Sequence, residues 1–477
     1  MLSRLSASLR MALVVTRREV RDQIRDWRII FPIVTLTLVF PYLMNFTARR
    51  AVNFVQKYDA PIVADRLIPF LLMVVGFFPI SVSLVIALES FVGEKERHSI
   101  EPLLCSPLTD GQLYLGKLLA SMVPPLLASY LGISVYLIGV YTQIGWTPTP
   151  SLITQILLLT TVQAVLMVSG AIVISSQTTS VRAANLLASF IIIPMALLIQ
   201  GESIVMFWAQ YNILWWAILG QIVITGLLIR TGVAYFNREE MLGRELDSIN
   251  LGRAWREIRR GFIGQARSII DWYRHELPGA LWSLRLPLVV SAISLGLGYF
   301  AGASLAKEFR LPAQLLSFNT ISKGFIEGLE AARFYSTSGT AIVWLQNLRA
   351  VLIATLLGIF SFGVLGLLVM MLPLVIIGYV AANVSLAGHS AFTFLVALVL
   401  PHGLFEIPAI LLAGAAILNL GATLTAPADG KTIGEAWLQA LAKWAKIMIG
   451  VVMPLFLLAA LVEVFITPLV AVWLLGN

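Results

Sequence analysis

Long apolar runs separated by short polar segments make up most of the chain. A run of about 18 residues is long enough to cross a hydrocarbon core of roughly 30 Å as an α-helix. We predict six spans in the first half, at about 29–46, 67–88, 118–141, 153–175, 186–199 and 213–228. We predict five in the second half, at about 286–305, 349–369, 371–384, 392–420 and 447–475. The pattern therefore predicts an all-α polytopic integral membrane protein with about 11 transmembrane helices, about 6 + 5.

Prolines suggest where these spans are interrupted, because proline removes a backbone donor and crowds the preceding turn. Pro124-Pro125 should kink or break the third span, and Pro373 should mark a tight reversal between the eighth and ninth. Pro401 and Pro408 should interrupt the tenth span. The stretch 422–446 is predicted to be a polar inner segment before the last span.

Two segments interleave arginine with apolar residues at nearly helical spacing, which predicts basic helices lying in the membrane interface. One is the N-terminus, up to Arg28. The other falls within residues 242–284, where the composition turns polar between two apolar regions. We therefore predict three parts: a first membrane domain at 1–241, a cytoplasmic basic amphipathic linker at 242–284, and a second membrane domain at 285–477.

Composition agrees with a membrane protein, since 58% of residues are apolar and 12% are charged. The net charge of +8 comes from Lys and Arg beside apolar spans, which favours the positive-inside rule over nucleic-acid binding. We expect a multi-pass protein of a bacterial cytoplasmic (inner) membrane, with a cytoplasmic N-terminus, no removable signal peptide and the lipid bilayer as its solvent. The single cysteine, Cys105, excludes an intramolecular disulfide and a cysteine-based metal site.

A polar island at residues 94–107 lies between two of the apolar runs. Its ionised groups cannot lie in hydrocarbon, so the segment must be in water. It also carries apolar residues at short helical spacing, Ile100, Leu103 and Leu104. The island can therefore fold as a short helix and dock on a soluble partner, although a solvated turn that only sets topology would show the same charges.

Motifs for hydrolysis of a nucleotide are missing. The Gly430-Lys431-Thr432 triplet lacks the earlier glycine and the preceding strand that a phosphate loop requires. We find no metalloprotease or nucleophile-elbow motif. We expect this chain to be no enzyme and to hold no cofactor, with ATP bound by a partner subunit.

The island, followed by Gly116-Lys117, resembles the cytoplasmic loop of type-2 ATP-binding-cassette transporter permeases, with Ser99 where that family usually has threonine. The resemblance covers about residues 1–241. In that family the loop is a coupling helix that fits a groove on a separate ATPase subunit. The resemblance assigns this contact to six residues: Glu94, Glu96, Arg97, Glu101, Leu103 and Leu104.

Three ionisable residues lie in apolar runs of the second half: His402, Glu406 and Glu463. His402 and Glu406 are four residues apart, so on a helix they share a face. Such groups are costly at membrane depth and face a cavity or a partner. They could form a buried polar cluster that fixes helix packing, a proton, ion or metal site, or a pair of protonated carboxyls. The sequence leaves open whether Glu463 meets the other two.

The segment Pro401-His402-Gly403…Glu406-Ile407-Pro408-Ala409, with the later Glu463-x-Phe-Ile-Thr-Pro, resembles the stage II sporulation protein M family. The resemblance covers about residues 285–477 and implies no reaction. Together the two resemblances imply a permease subunit, an exporter, driven by an ATPase and acting as a homodimer or with a second permease. The alternative is a non-transporting scaffold that links an ATPase to envelope or cell-wall remodelling.

Overall fold

The computed structural model describes residues 2–57, 61–96, 105–178, 181–235, 251–312, 316, 334–423 and 433–475. Helices make up nearly all of these residues, and no strand occurs among them. Backbone contacts divide the chain into two compact units, Met1–Ile249 and Asn250–Asn477. The predicted all-α polytopic class is confirmed. Together these facts describe two helical membrane units on one chain.

The described residues of the first unit form eight helices. They are α1 Leu2–Arg25, α2 Trp27–Lys57, α3 Pro61–Glu96, α4 Asp110–Ile144, α5 Pro150–Gln177, α6 Val181–Leu187, α7 Ser189–Phe207 and α8 Asn212–Tyr235. Thr109 begins α4 with a capping box, and Thr149 caps α5 ahead of Pro150. Several helices are longer than the predicted spans because polar residues at their ends continue the same backbone ladder.

The core of this unit forms around α3, which packs against α2, α4 and α5. Ile68, Leu72 and Tyr136 are almost fully buried there, and the Tyr136 hydroxyl donates to the Ile68 carbonyl at 3.3 Å. Pro124-Pro125 does not break α4, which runs through both prolines. Close packing around α4 supports the turn that loses these donors.

Eight further helices occur in the part of the second unit that the structure describes. They are α9 Leu251–Ile263, α10 at residues 269–282, α11 Arg285–Leu305, α12 Thr337–Phe360, α13 Val364–Leu386, α14 Ala391–Ala422, α15 at residues 433–465 and α16 Thr467–Leu475. The core lies where alanine and isoleucine side chains of α14 meet α11, α12 and α15. Helix α9 packs on α15, so the described part of the predicted linker belongs to this unit.

Within the described ranges of the second unit, three π-helical turns widen helices, at Trp272–Glu276, Leu395–Val399 and Met448–Val452. Each ends two residues before a proline, namely Pro278, Pro401 and Pro454 respectively. Proline cannot donate to the carbonyl four residues earlier, and its ring crowds that carbonyl. In α14 the Leu400 N–H donates to the Leu395 carbonyl, which accommodates one extra residue. The predicted interruption at Pro401 is therefore a local widening within a continuous helix.

The reversal between α12 and α13 lies at residues 361–363, so its predicted position near Pro373 is wrong. Phe362 and Gly363 have φ values of 54° and 94°, the left-handed conformation that ends a helix sharply. The Gly363 N–H donates to the Gly358 carbonyl at 2.7 Å. Pro373 lies inside α13. The apolar run continues across the turn, so hydropathy alone could not locate it.

The predicted polar inner segment 422–446 is also partly wrong, because α15 begins at Ile433 and continues to Phe465. Its first turns alternate charged and apolar residues. The hydropathy of such a stretch is low, and low hydropathy indicates a polar segment instead of a span. Residues 424–432, which include Gly430-Lys431-Thr432, lie outside the described residues. Ten described helices are long and apolar enough to cross a membrane, and a shorter apolar helix, Ile191–Phe207, matches the predicted fifth span.

Candidate functional site

The polar island begins on the last turn of α3, which ends at Glu96. Two of the residues assigned to partner contact, Glu94 and Glu96, therefore lie on described helix. The other four lie outside the described residues: Arg97, Glu101, Leu103 and Leu104. The chain is described again from Cys105, which is exposed. The structure thus describes the two helices that flank the island, α3 before it and α4 after it.

Lys117 of α4 connects these two helices, and only 1% of its side chain is exposed. Its Nζ lies 3.0 Å from Glu94 Oε1 on α3 and 3.6 Å from Glu19 Oε1 on α1. It also donates to the Ser90 carbonyl at 2.7 Å and lies 5.0 Å from the Phe91 ring centroid. A buried ammonium needs such compensation, because desolvation costs several kcal/mol. One cation therefore joins the base of the island to two other helices.

Helix α1 packs closely against the same part of α4. The Thr16 hydroxyl lies 3.1 Å from the Gly116 carbonyl, and a Cβ on Gly116 would lie 2.7 Å from Val15. Glycine at 116 therefore allows the two backbones to approach. The predicted N-terminal interfacial helix is attached to the bundle at this point.

Glu96 makes a second connection from the island. Its Oε1 accepts from the Val181 N–H at 2.8 Å, at the start of α6 between α5 and α7. The Ser175 hydroxyl, at the end of α5, donates to the Leu88 carbonyl at 2.7 Å. Both Glu94 and Glu96 are thus engaged within the chain, a role that the sequence analysis missed. Gly116-Lys117 after the island was the available signal.

Glu202 forms a buried polar group that the sequence analysis also missed. It lies on α7, accepts from Gln163 Nε2 of α5 at 2.7 Å, and accepts from Gln221 Nε2 of α8. All three side chains are almost fully buried. Glu202 is the only acidic residue of the apolar stretch 183–235, and a carboxyl at that depth was a visible signal. The contacts connect three helices of the first unit.

In the second unit, His402 and Glu406 lie on α14, and Glu463 lies near the end of α15. One ligand atom from each residue lies within 4.8 Å of the others. His402 Nε2 is 3.7 Å from Glu406 Oε2, with 15% and 21% of the side chains exposed. His402 Nδ1 is 3.2 Å from the Thr467 hydroxyl on α16. The structure therefore brings Glu463 to the pair that the spacing of α14 had already placed on one face.

The linker segment is held to α15 by an ion pair. Glu276 Oε2 lies 2.8 Å from Lys446 Nζ, which is nearly buried, and Glu276 Oε1 accepts from the Gln265 N–H at 3.0 Å. These hydrogen bonds, Lys446 first, lower the pKa of Glu276 below its usual value. Trp272 adds apolar contact beside Gly450. This part of the predicted linker thus packs as part of the second unit.

Replacing Glu276 with glutamine should destabilise the second unit by about 2 kcal/mol at neutral pH, because Lys446 loses a charged partner. The folded-state pKa of Glu276 is depressed, so its stabilisation is present above the unfolded pKa and is lost as pH falls through the folded value. Thermal unfolding of the purified protein should therefore differ between wild type and Glu276→Gln at pH 7 and converge in acid.

Glu257→Gln is the matched control for that measurement. Glu257 pairs with Arg260 at 3.4 Å, but the arginine side chain is 76% exposed. Exposed pairs contribute about 0–1 kcal/mol, so this variant should melt close to wild type. Equal effects of the two variants would contradict the role given to burial at Lys446.

Family models match two separate parts of the chain. Residues 13–212 match the family described as ABC-2 family transporter protein, and residues 288–468 match Stage II sporulation protein M. No curated protein matches the chain. The first match supports a membrane permease subunit of an ATP-binding-cassette transporter, a transmembrane and generally non-catalytic subunit whose family implies an ATP-binding partner. The first half of the chain thus matches the ABC-2 transporter family model and the second half matches the stage II sporulation protein M model, in the order predicted from the sequence.

Proposed function

We propose that the chain is the permease subunit of an exporter, driven by a separate ATPase that contacts the island at residues 94–107. The observation that carries this proposal is the arrangement at Lys117, which joins the base of the island to α1 and α4. Six residues form the proposed contact: Glu94, Glu96, Arg97, Glu101, Leu103 and Leu104. ATP binds to the partner and not to this chain.

Movement of the island can be transmitted to the other helices of the first unit along two routes. The first passes through Glu94 and Lys117 to α4 and α1. The second passes through Glu96 to the N-terminus of α6, and so to the connection between α5 and α7. The buried ion pairs of Lys117 resist independent movement of α1, α3 and α4. The exposed hydrogen bond of Glu96 adds a connection to α6. Closure of the ATPase would therefore tilt several spans together.

The assembly consistent with this function is a homodimer, or this chain with a second permease, in the bacterial inner membrane with the N-terminus in the cytoplasm. The permease domain comprises 1–241, the linker 242–284, and the second membrane domain 285–477. We propose that the second domain acts as a regulator, an assembly platform or a substrate gate. Export, as the direction, rests on resemblance to the permease family.

Co-purification with the ATPase tests the proposed contact. Arg97→Ala with Glu101→Ala removes two charges of the island without changing any described contact. We expect this double variant to lose a phosphate-loop ATPase that wild type retains, while its melting temperature is unchanged. Glu96→Gln keeps an oxygen for the Val181 N–H and removes only the charge, so it separates partner binding from helix capping.

Arg49→Ala with Arg50→Ala is the control. Both residues lie in the C-terminal half of α2. That end of α2 is followed by the first residues of α3, whereas the island begins on the last turn of α3. This variant should retain the ATPase. Retention by the island variant, or loss only in the control, would overturn the coupling proposal.

The match of residues 288–468 to the sporulation family favours a second candidate function, the non-transporting scaffold. In that function an ATPase on the first unit powers envelope or cell-wall remodelling, and the second unit recruits the remodelling protein. A cell-wall hydrolase that co-purifies with the wild-type chain and ATPase would favour the scaffold. A small molecule or lipid retained in stoichiometric amount would favour transport.

A further inference from the structure

We propose that His402, Glu406 and Glu463 form a binding site for one divalent first-row transition-metal ion. The site lies in the second unit and is independent of the ATPase contact proposed for the first. One ligand atom from each residue lies within 4.8 Å of the others. The three residues come from two helices, α14 and α15, so the ion joins elements that are distant in sequence.

The hydrogen bonds of Thr467 define which nitrogen of His402 faces the carboxylates. The Thr467 hydroxyl donates its single proton to the Val462 carbonyl at 3.2 Å. Its oxygen is therefore the acceptor for His402 Nδ1–H, also at 3.2 Å. Protonation at Nδ1 leaves the lone pair of a neutral imidazole on Nε2, and Nε2 is the atom directed towards Glu406.

The distance between Nε2 and Glu406 Oε2 distinguishes a shared ion from a direct hydrogen bond. A charge-assisted N–H···O bond would be about 2.7–2.9 Å long, whereas these atoms are 3.7 Å apart. Two ligands of one Zn²⁺ ion, each about 2.0–2.2 Å from the metal, lie roughly 3–4 Å from each other. Three lone-pair donors within 4.8 Å of one another repel unless a cation or a proton lies between them.

The ligand chemistry selects the class of ion. An imidazole nitrogen with two carboxylate oxygens suits Zn²⁺, Mn²⁺ or Fe²⁺ better than Mg²⁺ or Ca²⁺, which prefer all-oxygen sites. Three protein ligands leave a further coordination position for water or substrate. Thr467 supplies the outer hydrogen bond that orients a metal-bound histidine.

The local backbone fixes the ligands at this point. The π turn at Leu395–Val399 and Pro401 come directly before His402 on α14. Glu463 and Thr467 lie on either side of the break between α15 and α16 at Ile466. The ion would therefore hold α15 against α14 next to the break between α15 and α16.

Cobalt binding tests the site. The full chain, with any purification tag removed, is stripped with a chelator in detergent and titrated with CoCl₂ alone. We expect visible d–d absorption that saturates at one Co²⁺ per chain and is displaced by ZnCl₂. Glu406→Gln and Glu463→Gln should each abolish these bands. Thr467→Val should weaken Co²⁺ binding by about 10–100-fold, because an outer partner is lost.

Asp271→Asn is the matched control, because Asp271 and His275 are also four residues apart. His275 Nδ1 lies 2.7 Å from Asp271 Oδ1. That pair is at the surface, and the described residues contain no third His, Cys, Asp or Glu completing a metal-ligand group with it. The control should retain the cobalt bands. Zn²⁺ should raise the melting temperature of wild type and Asp271→Asn, but not of Glu463→Gln. Absence of bands in folded wild type, or bands unchanged in both glutamine variants, overturns the proposal.

Discussion

Replacing Lys117 with methionine is expected to destabilise the first unit by about 3 kcal/mol, because removal of one member of a buried charge group leaves the others uncompensated. Glu94 and Glu19 would then lose the ammonium that lies 3.0 Å and 3.6 Å from their carboxylates, and the Ser90 carbonyl would lose the Lys117 donor. The melting temperature, measured by tryptophan fluorescence in detergent, should fall by roughly 5–10 °C. The rate of ATP hydrolysis by any associated ATPase should no longer depend on the permease.

Two further variants separate charge from packing at this position. Combining Lys117→Met with Glu19→Gln and Glu94→Gln also removes the carboxylate charges that Lys117 balances, so part of the lost stability should return. Lys307→Met, at an exposed lysine, should leave the transition unchanged. If the single and triple variants melt at the same temperature, the ion pairs do not explain the role of Lys117.

Replacing Gly302 with leucine should disrupt the packing of α11 on α13 in the second unit. A Cβ at Gly302 would clash with the Val375 carbonyl, and a Cβ at Gly378 would clash with the Tyr299 carbonyl. Two backbones this close can separate only by breaking neighbouring contacts, which costs roughly 2–3 kcal/mol. We expect Gly302→Leu and Gly378→Leu each to lower the melting temperature by several degrees.

Gly296 on the same helix is the control for these variants. A Cβ at Gly296 would meet no atom within 4 Å. Gly296→Leu should therefore melt at or above the wild-type temperature, since it adds no clash and removes a flexible residue. A similar loss of stability at Gly296 and Gly302 would mean that helix propensity, rather than close packing, explains the glycines.

Local patterns predicted most helices of this protein but not their ends. The turn at 361–363 depends on Phe362 and Gly363 in left-handed conformation within a continuous apolar run. Hydropathy is blind to such a turn, and Pro373, the more visible signal, is accommodated inside α13. The prolines after the π turns were visible in the sequence, although their effect was a widened turn instead of a break.

The sites show the same division. The spacing of His402 and Glu406 predicts a shared helix face, since residues four apart are neighbours on any α-helix. Glu463 is 57 residues beyond Glu406, and only the packing of α15 on α14 brings it within reach. Lys117 is 23 residues from Glu94 and 98 from Glu19, so its two carboxylate partners were beyond any local pattern.

The sequence by itself determined that the protein is helical and spans a membrane, and that its two halves resemble different families. These properties follow from local composition and spacing, because a span requires only a long enough apolar run. Only the tertiary structure decided which polar side chains meet. Those pairings depend on the rotation and axial position of each helix, and these are fixed by packing of the whole unit.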